Sequence, residues 1–241
     1  MKKLLLILLL PICVQAQTIM SWNIQNLGQS KFKNDSIMGT ICITIAMQKP
    51  DVVAIQEVST SKWGDSAIIK IAKRINYNYV ISNKTTGEGS ERYAFIYPKT
   101  TLLLKAELDT TLQDSIDREP YIGQFKVKKK LLIVRTIHTV PDSKNPQYEI
   151  SKLYKYNEGI ICGDFNLTDE HLIYIPLLKK YNSPLKSLQT SLHRDGSLNK
   201  SYDHFLIDKK YIVNTSYVYL YPYIGNRNKV SDHLPIILKL Q

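Results

Sequence analysis

The chain has 241 residues, 44% of them hydrophobic, with 32 Lys+Arg against 21 Asp+Glu and a formal charge of +11. Three cysteines exclude a disulfide framework, so the fold must live on its apolar core. The basic balance suits contact with polyanions such as nucleic acid, anionic polysaccharide or phospholipid surfaces, or serves solubility alone, and charge does not choose between these.

Residues 1–16 read as a targeting signal. Lys2 and Lys3 precede an apolar run over 4–12 that is too short to span a bilayer, and Val14-Gln15-Ala16 has a small-residue cleavage ending. A secreted or periplasmic protein beginning at Gln17 is expected. A lipoprotein anchored at Cys13 is the competing reading, against which the bulky Ile12 argues. The remainder, 17–241, suits one large domain with no membrane span, no obligate protein partner and a monomeric state. Loss of Lys2 and Lys3 leaves it at +9 (11 − 2). Cys42 and Cys162 lie in apolar runs and read as small buried residues.

In chain order, 18–23 is a strand with a polar end at Asn23, and a loop follows over 25–30. Asn34-Asp35-Ser36 starts a helix carried by Ile37, Ile41, Ile45 and Ala46, which Lys49-Pro50 stops. Residues 51–57 form an apolar strand ending in Glu57. This strand–helix–strand opening indicates α/β with a covered sheet. A helix over 66–74 and a strand over 77–82 follow, then a polar loop over 83–90. The next strands are 91–98, 102–108, 121–127 and 131–137, the last ending in His138. Lys128-Lys129-Lys130 reads as a solvated hairpin turn in preference to a DNA-binding patch. Helices at 148–155 and 172–178 flank a short buried strand, Ile160-Ile161-Cys162-Gly163-Asp164-Phe165-Asn166. Strands at 202–207, 213–220 and 234–240 close the chain. Many strands with few helices predict two sheets packed face to face and flanked by helices.

The Gly163-Asp164-Phe165-Asn166 stretch ends an apolar run abruptly. On an extended chain Asp164 and Asn166 share a face and can bind a phosphate oxygen, a hydroxylic nucleophile or a hard cation; a strand end followed by an Asx turn is the plainer alternative. Similar polar groups interrupt other apolar runs: Asn23, Glu57 and His138 at strand ends, Glu91 and Asp203-His204 at strand starts, and Asp232-His233 before Leu234. Two imidazoles with several acids and amides at strand edges are what metal-assisted phosphoester hydrolysis requires. Such a reaction needs a cation to offset the phosphate charge, an oriented water, and an acid for the leaving oxygen.

These residues resemble the endonuclease/exonuclease/phosphatase superfamily, and within it the secreted deoxyribonuclease I group. The resemblance rests on Ser21-Trp22-Asn23-Ile24, Ile55-Gln56-Glu57-Val58, Glu91-Arg92-Tyr93, Arg118-Glu119-Pro120, His138 with Pro141, Gly163-Asp164-Phe165-Asn166, Tyr202-Asp203 and Ser231-Asp232-His233-Pro235. It implies a four-layer α/β sandwich, with two mixed sheets between helices, and a divalent-cation-dependent endonuclease that leaves 5′-phosphate and 3′-hydroxyl ends on DNA. It further implies that Asn23 and Glu57 hold Mg²⁺ with Asp232 nearby, that His138 and His233 form the acid/base pair, and that Glu91 and Asp203 orient them. Asp164 and Asn166 would position phosphate and water, with a second cation as an option at Asp164, and Arg118 would contact a phosphate. Mn²⁺ is an alternative ion, whereas no structural Ca²⁺ loop is recognisable. The substrate-gripping groups depart from the pattern: Ser59 stands where an arginine is expected, and Gly89-Ser90 where an aromatic is expected. The stretch 152–160 is shortened. RNA, a phospholipid or another phosphoester is therefore the alternative substrate, and a non-catalytic polyanion binder is a third reading.

Overall fold

The computed structural model describes residues 16–223 and 230–241. The signal segment expected over 1–16 lies outside them but for Ala16. Two six-stranded mixed sheets face each other. The first contains β1 (Gln17–Leu27), β2 (Val52–Val58), β3 (Tyr77–Ile81), β4 (Arg92–Pro98), β11 (Val213–Val218) and β12 (Ile236–Leu240), in the order β11-β12-β1-β2-β4-β3. The second contains β5 (Leu102–Leu108), β6 (Tyr121–Val127), β7 (Lys130–His138), β8 (Ile160–Asp164), β9 (Tyr181–Asn182) and β10 (Asp203–Asp208), in the order β5-β6-β7-β8-β10-β9. Helices α1 (Gln29–Lys33), α2 (Asp35–Gln48) and α3 (Lys62–Ile75) cover the first sheet. The shorter α4 (Pro146–Lys152) and α5 (Ile175–Leu178) cover the second. This is the expected four-layer sandwich.

The layers follow from strand alternation. Ile19, Val52 and Ala54 point into the space between the sheets, whereas Met20, Val53 and Ile55 point outward under α2 and α3. Both faces are thus buried, which is why β1 and β2 read as nearly continuous apolar runs. Aromatic rings fill the space between the sheets: Phe95 stacks on Tyr121 at 5.0 Å and meets Phe125 edge-on at 5.3 Å. Cys42 and Cys162 are free and buried.

Several boundaries differ from the sequence reading. β1 does not stop at Asn23 but continues to Leu27 through a kink at Gln25 and Asn26, whose φ angles are 35° and 55°. The loop expected over 25–30 therefore contains a strand end and the start of α1. α3 begins at Lys62, because the Ser61 hydroxyl accepts a hydrogen bond from the Trp63 backbone N–H and caps the helix early. β9, two residues long, had no periodicity to reveal it. Asn166 is not extended: its φ is 45°, and its backbone N–H donates to Asp164 Oδ1 at 2.9 Å. The Asx-turn alternative is therefore the geometry adopted, and Asp164 is the last strand residue.

One glycine determines how β7 and β8 meet. Gly163 has φ +139° and pairs with Ile137 in the parallel ladder; a Cβ there would lie 1.9 Å from the Ile137 carbonyl oxygen. The next pair in that register is His138 with Asp164. Gly163→Ala should lower unfolding stability by more than about 2 kcal/mol, read as a shift in the urea midpoint at constant slope. An unchanged midpoint would mean that β7 yields at no cost.

Candidate active site

Strand direction gathers the polar residues on one rim. β1 and β2 are parallel neighbours in the first sheet, and β7 and β8 are parallel neighbours in the second. β1 and β2 pack across the sandwich against β8. The exits of these four strands carry Asn23, Glu57, His138 and Asp164. β4, β10 and β12 run antiparallel to them and so enter where the others leave. Glu91 precedes β4, Asp203 opens β10 opposite Asp164, and Asp232-His233 precede β12.

Asp164 lies at the centre, 1% exposed. Its Oδ2 accepts a hydrogen bond from Asn23 Nδ2 at 3.0 Å and lies 3.4 Å from His138 Nε2 and 3.3 Å from His233 Nε2. Each imidazole is held from its far nitrogen. His138 Nδ1 lies 2.9 Å from Glu91 Oε2, and His233 Nδ1 lies 2.7 Å from Asp203 Oδ2. With carboxylates on both nitrogens, each ring favours its doubly protonated form. Burial pushes His233 down, but Asp164 and Asp203 outweigh it and hold the ring well above the usual histidine range. Burial likewise opposes the charge on His138, and Glu91 and Asp164 raise it on balance. Burial would raise the Asp164 carboxyl, yet His233 and His138 hold it below the ordinary value.

A second set of oxygens adjoins this one. Glu57 Oε1 accepts from Asn23 Nδ2 at 2.9 Å, and Glu57 Oε2 accepts from the Asn26 backbone N–H at 2.7 Å. Asn23 Oδ1 accepts from the Gln25 N–H at 2.8 Å. Glu57 itself has φ +58°, which turns it off the strand path. Asn23 and Glu57 thus lie beside Asp164 at the rim, and side-chain oxygens of this kind are what a hard cation such as Mg²⁺ takes. Asp164, Asp203 and His233 also offer ligand atoms within 4.8 Å of one another. Both His233 nitrogens already face carboxylates there, so this trio reads as an acid/base network rather than a ligand cage.

Arg118 lines the cavity that also holds His138 and Glu57. It is 7% exposed and spends its guanidinium on backbone carbonyls: Nε donates to His138 O at 2.8 Å, Nη1 to Gly89 O at 3.1 Å and Nη2 to Thr139 O at 2.5 Å. It fastens the end of β7 to the Gly89 loop. The Asn166 side-chain amide similarly donates to Thr139 O at 3.0 Å.

Other residues at the rim take supporting roles that the sequence did not assign. The Thr190 hydroxyl donates to Asp203 Oδ2 at 2.7 Å and accepts from the Asp203 N–H at 2.8 Å. The Ser231 hydroxyl donates to Asn23 O at 2.7 Å, and the Trp22 indole N–H donates to His233 O at 3.1 Å. The Lys31 ammonium lies against three backbone carbonyls at the same rim. Only Ser231 and Trp22, flanking His233 and Asn23 in the motifs, could have been suspected from position. Two cavities open on either side of the imidazole pair. One of about 870 Å³ is lined by His233, His193 and Arg194, and one of about 620 Å³ by His138, Glu57, Ser59 and Gly89.

No family model matches the chain. Deoxyribonuclease-1-like 1 of Sus scrofa is 31% identical over 184 residues, which cover 68% of this chain and 57% of that protein. Deoxyribonuclease gamma of Homo sapiens is 25% identical over 280 residues, covering 98% of this chain and 90% of that protein. An endonuclease/exonuclease/phosphatase family protein from Bacteroides thetaiotaomicron shares the fold, with a TM-score of 0.70 at 15% identity over 93% of this chain and 97% of that one. Strand order, rim chemistry and these likenesses agree: the chain belongs to the endonuclease/exonuclease/phosphatase superfamily and has its deoxyribonuclease I-like fold.

Proposed function

We propose that this protein is a secreted, divalent-cation-dependent endonuclease that hydrolyses DNA phosphodiesters to 5′-phosphate and 3′-hydroxyl ends. The observation that carries the reading is the pair of braced imidazoles, whose Nε2 atoms lie 3.4 and 3.3 Å from one carboxylate oxygen. The relatives named as deoxyribonucleases and the charge of +11 support a nucleic acid substrate. The signal-like residues Lys2, Lys3 and 4–12 support secretion.

Asn23 and Glu57, with Asp164 and Asp232, would hold Mg²⁺. The ion supplies charge neutralisation at the phosphate and acidifies water. The protein's own groups do the proton work. His233 faces Asp164, Asp203 and Asp232, so it keeps its proton to higher pH and serves as the acid for the leaving 3′-oxygen. His138 is raised less strongly, loses its proton first, and takes one from the attacking water. Glu91 and Asp203 hold each ring's Nδ1–H so that Nε2 faces the reacting atoms. An arriving phosphate takes over the contacts that the two Nε2 atoms make with Asp164. Arg118 acts by holding the His138 carbonyl, and Asn166 by lining the groove beside His233.

A second reading keeps this chemistry for RNA, a phospholipid or another phosphoester. Ser59, Gly89 and Ser90 line the cavity beside His138 with small side chains where a DNA-gripping arginine and aromatic are expected. A substrate panel at fixed metal concentration separates the two readings.

The mature protein should nick supercoiled plasmid with Mg²⁺ and stop on addition of EDTA. His138→Ala and His233→Ala should each lower turnover at least about a hundredfold, and a loss below about threefold would show the role misassigned. Glu57→Gln should raise the Mg²⁺ concentration needed for half-maximal rate, so an unshifted titration would remove Glu57 from the ligand set. The pH profile should be bell-shaped. Removing a carboxylate lowers its partner's pKa, so Glu91→Gln should move the acid limb to lower pH, because the base His138 then deprotonates earlier. Asp203→Asn should move the alkaline limb to lower pH, because the acid His233 then loses its proton earlier. Limbs that stay in place in both variants would break this assignment.

A further inference from the structure

Lys31 sits on α1, a short helix that leaves the rim directly after β1. Its ammonium donates to Ile24 O at 2.6 Å and to the carbonyls of Gln25 and Val230. These carbonyls belong to two separate segments. Ile24 and Gln25 follow Asn23 at the kink of β1, while Val230 begins the segment that carries Asp232 and His233. Burial brings the ammonium down to about 8, against the pull of Glu57 and Asp232, so it remains mainly charged at neutral pH.

Three carbonyl dipoles converge here with their negative ends together. Beside them are the carboxylates of Glu57 and Asp232, and the kink holds Gln25 and Asn26 in the left-handed region without glycine. A cation at the meeting point of these carbonyls stabilises the arrangement, and the Lys31 ammonium occupies that point. The neighbouring ties on these segments are neutral: the Ser231 hydroxyl on Asn23 O and the Trp22 indole on His233 O. Among the described residues, Lys31 adds a charged tie to these.

We propose that Lys31 is a built-in cation that holds the exit of β1, which carries Asn23, against the Val230–His233 segment, which carries Asp232, and so fixes the spacing of these groups for uptake of a divalent ion beside Glu57. It is a positioning residue, in contact with neither phosphate nor the reacting atoms. The inference rests on reading Asn23 and Glu57 as metal ligands, and it differs from a phosphate-binding role, which a lysine on a basic nuclease would ordinarily suggest.

The test compares the wild-type mature protein with Lys31→Met, which keeps the stem, and Lys31→Gln, which keeps donors without charge. Mn²⁺ binding to the metal-free proteins is measured by calorimetry, and plasmid nicking is measured across a Mg²⁺ titration at fixed salt. Both variants should bind Mn²⁺ at least about tenfold more weakly, since a tenfold change is the usual smallest cost of disturbing a metal site's supporting contacts. At saturating Mg²⁺, kcat should also fall, while KM for plasmid stays within about twofold and the salt dependence of DNA binding is unchanged. Equal or tighter Mn²⁺ binding in either variant overturns the proposal, the tighter case making Lys31 a competitor of the ion. A rise in KM with a shallower salt slope and intact Mn²⁺ affinity also overturns it, in favour of a phosphate contact. If Lys31→Met does not fold, Lys31→Gln alone decides. If wild type cleaves no DNA while the Mn²⁺ comparison behaves as expected, the nuclease reading fails and the role of Lys31 stands.

Discussion

One oxygen, Asp164 Oδ2, gathers polar groups from both halves of the molecule. A carboxylate this deeply buried costs several kcal/mol unless its charge is met. It is met by Asn23 from the first sheet, by His138 from the second, and by His233 from the segment entering β12. Each of these partners is anchored by its own acid or backbone contact. The site therefore closes only when both sheets are in place and in register, so the same contacts that stabilise the sandwich bring the two imidazoles together.

Register across the sandwich has a second tie below the rim. Gln56, fully buried between the sheets, donates from Nε2 to Thr136 Oγ1 at 2.6 Å and to Ser21 Oγ at 3.1 Å. Gln56 immediately precedes Glu57, and Thr136 lies two residues before His138. A polar link inside a largely apolar interface is costly to misalign, because a shift leaves the Gln56 amide N–H groups unpaired. The apolar layers supply the bulk of the stability, but they tolerate sliding better than this link does. Packing thus sets that the sheets meet, and the few polar groups set where.

The rim separates two kinds of residue. The braced imidazoles and the oxygen cradle fit a general phosphoester chemistry. The walls of the flanking cavities carry the individual character of this chain: small groups at Ser59, Gly89 and Ser90 on one side, His193 and Arg194 on the other. Arg118 belongs with the first kind in an indirect way, since its guanidinium is spent on the carbonyls of His138, Thr139 and Gly89. The position of the surrounding carbonyls shows what this long cationic side chain holds, and the same side chain also lines the cavity beside His138.

The sequence by itself determined the fold class, most strands and the identity of the rim residues. Apolar runs that end abruptly in Asn, Glu, His or Asp mark strand ends directly, and their order along the chain is preserved in a one-dimensional reading. It could not show that β1 continues past Asn23, since positive φ at Gln25 and Asn26 leaves no mark in polarity. Nor could it show Thr190 behind Asp203, Arg118 on β7's final carbonyl, or Lys31 between Gln25 and Val230. Those roles depend on backbone atoms, which every residue possesses alike. Side-chain chemistry is written in the sequence, whereas which carbonyl a side chain reaches is decided only when distant segments are packed together.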